Sequence, residues 1–282
     1  MYKRQAFNTL QHTTSEFDSI INVNKSLALS LGNQFIPAMS YTFTYDNAPL
    51  KKRHNLWWET SFTSAGNVTS LVYAAFGKGM KEKGKELLGS PFAQFLKMTS
   101  EIRCLFKVGE KQHIATRLMG GVLYAYGNQT VAPYSEQFYI GGANSIRAFT
   151  VRSIGPGTFH PNADNRYGYI DETGDVKLEA NIEYRFPILG DLYGATFLDA
   201  GNVWLMKKDE ARPGGELTMR NFAKSVALGT GVGLRYDLTF LVIRLDLGIA
   251  LHAPYDTGKS GYYNIPKFKD GLGLHFAIGY PF

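Results

Sequence analysis

The chain has 282 residues, of which 44% are hydrophobic and 19% charged, and its formal net charge is +6. So many apolar groups and so few charges exclude a disordered chain. No run approaches the roughly 20 consecutive apolar residues of a membrane-spanning helix, and the single cysteine, Cys104, excludes a disulfide framework and a cysteine-rich metal site.

Residues 1–5 read as a translated sequencing-adaptor end, so we expect an open reading frame that is truncated upstream. No charged region followed by an apolar stretch and a cleavage site is visible, and the sequence therefore shows no secretory signal. Under the expected truncation, this absence carries no information on location. Residues 6–282 are taken as the native part of the chain.

Alternation of apolar and polar residues with a period of two predicts β-strands along most of the chain. In the clearest segment, 175–186, apolar residues such as Leu178 and Ile182 alternate with charged residues such as Glu179. The predicted strands, in chain order, are 35–45, 55–66, 94–108, 112–126, 175–186, 191–206, 225–237, 240–252 and 272–282, with 2–13 and 18–31 as further candidates. The chain is thus expected to contain about nine to eleven strands.

The connections between these strands are predicted to alternate between short and long. The short connections are 109–111, 188–190 and 238–239, and the long ones are 67–91, 128–174, 207–223 and 254–271. Residues 78–88 are expected to form a short helix within the first long loop. Tight turns at one end and long loops at the other are typical of outer-membrane barrels, whereas a soluble sandwich has no reason to separate them in this way.

The two faces of each predicted strand differ in chemistry: one is apolar, and the other is charged or small. This alternation fits a soluble barrel with its apolar face inward, and it also fits a membrane barrel with that face towards lipid. The predicted strands are longer than the usual strand of about 5–6 residues and suit a tilted membrane crossing. Charged rows that contain Lys177 and Arg185 also need a wet interior, so the sequence favours the membrane barrel.

The sequence contains none of the catalytic, metal-binding or nucleotide-binding motifs considered. The lysines and arginines are scattered rather than arranged in a basic stripe, which argues against nucleic-acid binding. No nucleophile elbow, zinc-protease motif or phosphate-binding loop occurs, and the Gly229-x-Gly231-x-Gly233 pattern lies inside a predicted strand. The histidines do not pair at metal-ligand spacing. We therefore expect no catalytic residue, no metal site, no cofactor and no nucleic-acid partner.

Five segments resemble, in order, the BamA/TamA outer-membrane insertase superfamily, also known for its bacterial surface antigen C-terminal barrel. They are 136–149 (EQFYIGGANSIRAF), 177–187 (KLEANIEYRFP), 197–204 (FLDAGNVW), 229–237 with 243–246 (GTGVGLRYD and IRLD) and 274–282 (LHFAIGYPF). In the first segment Ala148 stands where the family has glycine, so the loop backbone there must accept a Cβ atom. The resemblance covers about residues 90–282.

The resemblance implies an all-β fold, an antiparallel transmembrane β-barrel of which this chain supplies the C-terminal part, about 11 of 16 strands. The family's N-terminal POTRA repeats and first strands are not in the sequence, which agrees with a truncated reading frame. The implied partners are outer-membrane lipid, client β-barrel or surface proteins, and periplasmic or lipoprotein partners reached through the missing repeats. The implied location is the bacterial cell outer membrane.

The resemblance also places Arg147 at the tip of a loop, within 128–174, that folds into the lumen. The loop motif comprises Gly141, Gly142, Ser145, Ile146, Arg147, Ala148 and Phe149. A confined arginine needs carboxylate partners, and the candidate acceptors are Asp199, Asp246 and Glu183, with Gly201 and Gly229, Gly231, Gly233 and Gly248 leaving room for the loop. The alternative is that Arg147 and Asp199 are ordinary solvated charges, and that the glycines only bend the strands.

By resemblance, the protein inserts or exports outer-membrane or surface proteins through a lateral seam between its last and first strands. The terminal strand would carry the signal read by the assembly machinery, formed by Phe276, Ile278, Gly279, Tyr280 and Phe282. Two other functions stay open: a passive outer-membrane pore, and the membrane anchor of a lost N-terminal enzyme domain. The upstream coding sequence would discriminate the three, because only the insertase needs POTRA repeats.

Overall fold

The structure is a computed structural model, and it describes residues 2–8, 14–15, 17–19, 32–48, 53–161 and 172–282. The regular secondary structure of the described residues is almost entirely antiparallel β-sheet, which confirms the predicted fold class. Its strands are β1 (Tyr2–Asn8), β2 (Gln34–Asp46), β3 (His54–Ala65), β4 (Glu86–Leu87), β5 (Ser90–Pro91), β6 (Phe95–Lys107), β7 (His113–Ala125), β8 (Val176–Leu189), β9 (Leu192–Trp204), β10 (Ala227–Asp237), β11 (Val242–His252) and β12 (Leu272–Ile278).

Ten of these strands form one sheet in the order β1-β2-β3-β6-β7-β8-β9-β10-β11-β12, and β4 pairs with β5 in a separate small sheet. The strand predictions from 35–45 onward are each matched by a strand, and candidate 2–13 is matched by β1. Candidate 18–31 falls outside the described residues except for Asp18 and Ser19, which are helical.

Contacts divide the chain into two compact units. The first comprises Met1–Phe43, Thr60–Thr99 and Gly121–Gln137, and it contains a helix, α1 (Asn67–Ala75), and the small sheet. The second comprises Thr44–Glu59, Ser100–Gly120 and Phe138–Phe282, and it contains strands β8 to β12.

Strands β8 to β11 have the reverse of the burial pattern of a water-soluble sheet. On β11, Arg244 and Asp246 are buried while Leu245 and Leu247 are exposed. On β8, the polar residues Glu179, Asn181, Glu183 and Arg185 are likewise buried, and the apolar residues are not. Burying charges while exposing leucines is costly in water, but it is the arrangement expected where lipid contacts the apolar face.

Short and long connections alternate as predicted. β8 and β9 are joined by two residues, with Gly190 in the left-handed region at φ 55°, and β10 and β11 are joined through Thr239 at φ 73°. The helix predicted at 78–88 is wrong: that stretch contains turns and β4, while the same long loop forms α1 earlier. None of the helices in the described ranges is long and apolar enough to cross a membrane.

The strand register places glycines of neighbouring strands side by side on the face that the loop covers. Gly231 of β10 pairs with Gly248 of β11, and Gly248 pairs in turn with Gly273 of β12. On the other side Gly231 pairs with Phe197 of β9. Gly248 and Gly273, paired across neighbouring strands, leave a groove on this face of the sheet, whereas the Phe197 ring lies against Gly231.

Candidate functional site

Residues 140–152 fold into a tight loop over the polar face of β8 to β12. The Gly142 amide donates to the Phe149 carbonyl oxygen at 2.7 Å, and the Arg152 amide donates to the Ile140 carbonyl oxygen at 2.9 Å. Gly141 needs the freedom of glycine, because its φ is 95° and an added Cβ would lie 2.0 Å from the Thr150 carbonyl oxygen. These constraints hold Arg147 at the tip of the loop.

Arg147 is completely buried, and its guanidinium binds Asp199 with both sides of its fork. Its Nε donates to Asp199 Oδ2 at 2.9 Å, and its Nη2 donates to Asp199 Oδ1 at 2.9 Å. Its Nη1 also donates to Glu183, and the guanidinium carbon lies 3.4 Å from the centroid of the Phe197 ring. Because Arg147 and Asp199 have no exposed surface, the alternative that they are solvated charges is wrong.

The environment keeps this arginine charged. Burial lowers the pKa of the Arg147 guanidinium, but the hydrogen bond and charge of Asp199, together with those of Glu183, outweigh burial, so the pKa is raised above its ordinary value. A bidentate pair of this kind also fixes the angle of the guanidinium plane. The loop is thereby attached to β9 through a charged, bidentate pair.

Two further arginines complete the charge cluster beneath the loop. Arg235 Nη2 donates to Glu183 Oε2 at 3.0 Å, and Arg244 Nη1 lies 3.3 Å from Asp246 Oδ2. Arg244 Nη1 also donates to the Ala143 carbonyl oxygen at 2.9 Å, which ties the first part of the loop to β11. Asp246 is 3.8 Å from Arg147 Nη1, so it belongs to the cluster but is not the main acceptor.

A second set of contacts anchors the Ser145 end of the loop to β8. Ser145 Oγ donates to Glu179 Oε2 at 2.8 Å, and Asn181 Nδ2 donates to the Ser145 carbonyl oxygen at 3.0 Å. Asn181 Nδ2 also donates to Asp199 Oδ1 at 2.8 Å. Asp199 therefore holds the loop in two ways: directly through the Arg147 fork, and indirectly through Asn181, which binds Ser145.

Glycines of three strands make the space in which the loop backbone lies. A Cβ added at Gly248 would lie 2.3 Å from the Arg147 carbonyl oxygen, and one at Gly273 would lie 2.8 Å from the same atom. That oxygen also lies 2.8 Å from His275 Nε2 on β12. Three of the predicted glycines do not serve the loop: an added Cβ at Gly201 would meet the backbone of β8, one at Gly231 the Phe197 ring and the backbone of β11, and one at Gly233 the side chains of Asp246 and Arg235.

We expect Gly229→Ala to lower the free energy of unfolding by about 1–3 kcal/mol through overpacking, and Ala148→Gly to restore most of it. The added Cβ at Gly229 would lie 2.6 Å from Ala148 Cβ, and the next nearest atom, the Ile249 carbonyl oxygen, is 3.6 Å away. Chemical denaturation of the two single variants and the double variant in detergent would measure this. A double variant as unstable as Gly229→Ala alone would contradict the proposed contact.

The terminal strand ends earlier than predicted. β12 stops at Ile278, and Gly279 takes φ 84°, a conformation that turns the chain out of the strand. Phe276 and Ile278 are exposed on the apolar side, but the Arg185 guanidinium carbon lies 4.1 Å from the Tyr280 ring centroid. The predicted strand 272–282 is therefore too long at its end: Tyr280 and Phe282 lie beyond β12, with their rings against Arg185 of β8 and Arg117 of β7.

The sequence reasoning named the loop and its carboxylates but missed several of their partners. The structure brings together Arg147, Glu183, Asp199 and Asp246 as expected, with Ile146 and Phe149 buried beside them. It adds Arg235, Arg244 and His275, whose positions on the polar side of the alternation were the available signal. Within the part of the chain that the structure describes, no group of His, Cys, Asp and Glu side chains could hold a metal ion.

Comparison with known proteins gives consistent matches. The family model described as "Omp85 superfamily domain" matches residues 7–282. Sorting and assembly machinery component 50 homolog A of Xenopus laevis is 31% identical over 167 residues, covering 58% of this chain and 34% of that protein. Outer membrane protein assembly factor BamA of Nitratidesulfovibrio vulgaris is 28% identical over 184 residues, covering 64% of this chain and 20% of that protein.

A solved structure is similar to this chain in fold. CdiB from Escherichia coli matches with a TM-score of 0.51 at 14% identity, covering 87% of this chain and 37% of that one. At this identity the likeness shows the fold alone. The chain spans about a third or less of the length of the two curated relatives.

Proposed function

The chain belongs to the Omp85 superfamily, and from this premise we propose that it is the membrane-embedded β-barrel part of a factor that inserts or exports outer-membrane or surface proteins. The names of its relatives, an outer membrane protein assembly factor and a sorting and assembly machinery component, support this class of activity. We propose the bacterial outer membrane as its location. The exposed apolar face of β8 to β12 supports lipid as its surroundings.

The single observation that carries the proposal is the attachment of the Arg147 loop to the polar face of the sheet. The fork on Asp199 and the contact with Glu183 bind this loop to strands β8 and β9. A passive pore needs an open passage along the polar face, whereas the ionically fixed loop covers that face of β8 to β12 and braces the strands. The arrangement therefore favours a protein that binds its client at the edge of the sheet rather than one that conducts solutes along the polar face.

The proposed mechanism uses the outer edge of β12. Within the described residues β12 pairs with β11 on one side, and we place the seam at its other side, where weak pairing with a first strand could give way. Lipid cannot satisfy the backbone donors and acceptors of an opened seam, whereas an incoming client strand can, by adding to the edge. The turn at Gly279 shortens β12 and directs the last residues away from the edge, which leaves less of the strand engaged.

We expect an unfolded eight-stranded outer-membrane barrel protein to crosslink to β12 when it is offered to the chain in proteoliposomes. A photoreactive side chain would replace Leu274, which is exposed on β12, and the matched control would replace Leu198, which is exposed on β9 between two paired strands. Edge capture predicts strong crosslinking at Leu274 and little at Leu198. Equal crosslinking at both positions would contradict edge capture.

Partners on the periplasmic side are a further part of the proposal. Periplasmic or lipoprotein partners would act through POTRA repeats encoded upstream of this sequence. Sequencing the upstream genomic region tests this, because POTRA repeats are expected there. A hydrolase domain in that place would instead favour a membrane anchor for an enzyme, and a signal followed directly by strands would favour a passive pore.

A further inference from the structure

Helix α1 presents an apolar stripe to its surroundings instead of to the protein. Val68, Leu71, Val72 and Phe76, at or just beyond the end of α1, are 60%, 55%, 54% and 83% exposed. Their spacing of three, four and eight residues places them on one side of the helix. In a helix of a soluble domain this stripe would pack on the core, so α1 is oriented in the opposite way.

The opposite side of α1 is polar, buried and firmly held. Ser70 is fully buried, and its Oγ donates to Gln94 Oε1 at 2.9 Å. Asn67 Oδ1 accepts from the Tyr126 hydroxyl at 2.6 Å and from Gln94 Nε2 at 3.2 Å. Gly66 starts the helix at φ 68°, where an added Cβ would lie 2.2 Å from the Ala93 carbonyl oxygen. The outward orientation of the stripe is therefore fixed by a specific network.

A lysine-rich segment is held beside the same helix. Lys85 is buried, and its Nζ donates to Ser70 Oγ at 3.1 Å, to the Gly79 carbonyl oxygen at 3.1 Å and to the Met80 carbonyl oxygen at 2.9 Å. Burial lowers the pKa of the Lys85 ammonium, and the charge of Glu82 acts against that effect. These bonds keep residues 78–83, with their exposed lysines, next to the end of α1.

We propose that α1 and the exposed lysines of 78–83 form a docking surface for an anionic lipid membrane. The stripe would enter the boundary between headgroups and acyl chains, and Lys78, Lys81 and Lys83 would contact headgroup phosphates. Residues 66–94 contain four lysines and two glutamates, a net charge of +2, which favours an anionic surface.

Continuity with the apolar face of the sheet supports lipid as the occupant. The strands that flank this loop within the same unit expose Phe62 on β3 and Met98 on β6. Four side chains along a helix of nine residues also make a narrow stripe, whereas a stable interface with a second protein buries about 800 Å² on each partner. The inference goes beyond the insertase proposal, because it depends only on the chain lying in a membrane.

The experiment places an environment-sensitive NBD fluorophore on the stripe of the full chain in lipid nanodiscs. In a Cys104→Ser background, Leu71→Cys would be labelled, with Leu274→Cys on β12 as the lipid-facing control and Lys111→Cys in the turn between β6 and β7 as the aqueous control. A nitroxide near the headgroup end of the acyl chain is expected to quench Leu71→Cys about twofold in phosphatidylcholine–phosphatidylglycerol discs. Quenching at Lys111→Cys is expected to be small.

The lysine part is tested with Lys78→Gln, Lys81→Gln and Lys83→Gln together. This variant should lose the extra quenching that phosphatidylglycerol gives over pure phosphatidylcholine, and high salt should have the same effect on the parent protein. Val68→Cys provides a second labelling site if Leu71→Cys does not fold. Labels on the stripe that stay unquenched while Leu274→Cys is quenched would overturn the proposal. A blue shift in detergent that grows with protein concentration would also overturn it, since a second copy would then be the occupant.

Discussion

Replacing Arg147 by glutamine is expected to lower the free energy of unfolding by about 3–5 kcal/mol, because it leaves buried carboxylates without their cation. Asp199 would keep only the neutral amide of Asn181 and the Arg147 backbone amide as donors. Glu183 would keep Arg235, so most of the loss is expected to come from Asp199. Denaturation in detergent, followed by tryptophan fluorescence and by heat-modified electrophoretic mobility, measures the change.

A double-mutant cycle assigns that loss to the pair. Arg147→Gln, Asp199→Asn and the double variant should give a coupling free energy of about 0.5–3 kcal/mol, since the double variant removes both charges together. Arg103→Gln is the matched control, because Arg103 pairs with Glu101 at 2.7 Å but is 41% exposed. Its cost should stay within about 1 kcal/mol. If Arg147→Gln costs no more than Arg103→Gln, the fork does not hold the loop.

Under the proposed function, the same variant separates bracing from client capture. An unbraced loop should weaken the sheet as a whole, whereas the edge of β12 keeps its backbone donors and acceptors. Crosslinking from Leu274 should therefore persist in Arg147→Gln at temperatures where the protein stays folded. If Arg147→Gln lowers the stability and also abolishes crosslinking from Leu274, the loop shapes the edge of β12 directly.

The strands could be predicted from the sequence because lipid and a polar interior impose opposite demands on successive residues. Leu178 and Ile182 face outward and Glu179 and Glu183 inward on β8, as the alternation requires. Arg147 and Asp199 could be paired only with the help of the family resemblance, which placed Arg147 in a confined loop; a confined arginine then needs a carboxylate, and the polar side of β9 offers one. Local alternation thus predicts the sheet, whereas the centre of the site also required the family motif.

The remaining features depend on contacts that alternation does not describe. Arg235 and Arg244 lie on the polar side of their strands, yet only the register places them against Glu183 and Asp246. The turn at Gly279 cannot be read from an alternating pattern, because glycine occurs on the small face of several strands without bending them. The lysine run 78–88 suggested a helix, but Lys85 is recruited into a buried polar network instead.

Adding a single methyl group at Gly248 is expected to lift the loop from its groove. The Cβ of Gly248→Ala would lie 2.3 Å from the Arg147 carbonyl oxygen, 2.6 Å from its carbon and 2.8 Å from Ala148 Cα. All three are backbone atoms of the loop, so no side chain can rotate away, and the loop must move as a unit. Overpacking and partial loss of the Arg147 fork together should cost about 3 kcal/mol or more.

Gly120→Ala is the matched control for this change, because its added Cβ would find only the Lys177 carbonyl oxygen, at 4.0 Å. It should leave stability within about 1 kcal/mol. Limited trypsin digestion gives a second readout, since cleavage after Arg147 requires the buried residue to leave the groove. Because Gly248→Ala and Arg147→Gln disrupt the same attachment, their combined cost should fall well short of additive. If the two costs in free energy of unfolding add exactly, the methyl group acts on the sheet alone. The loop would then not lie in the groove at Gly248.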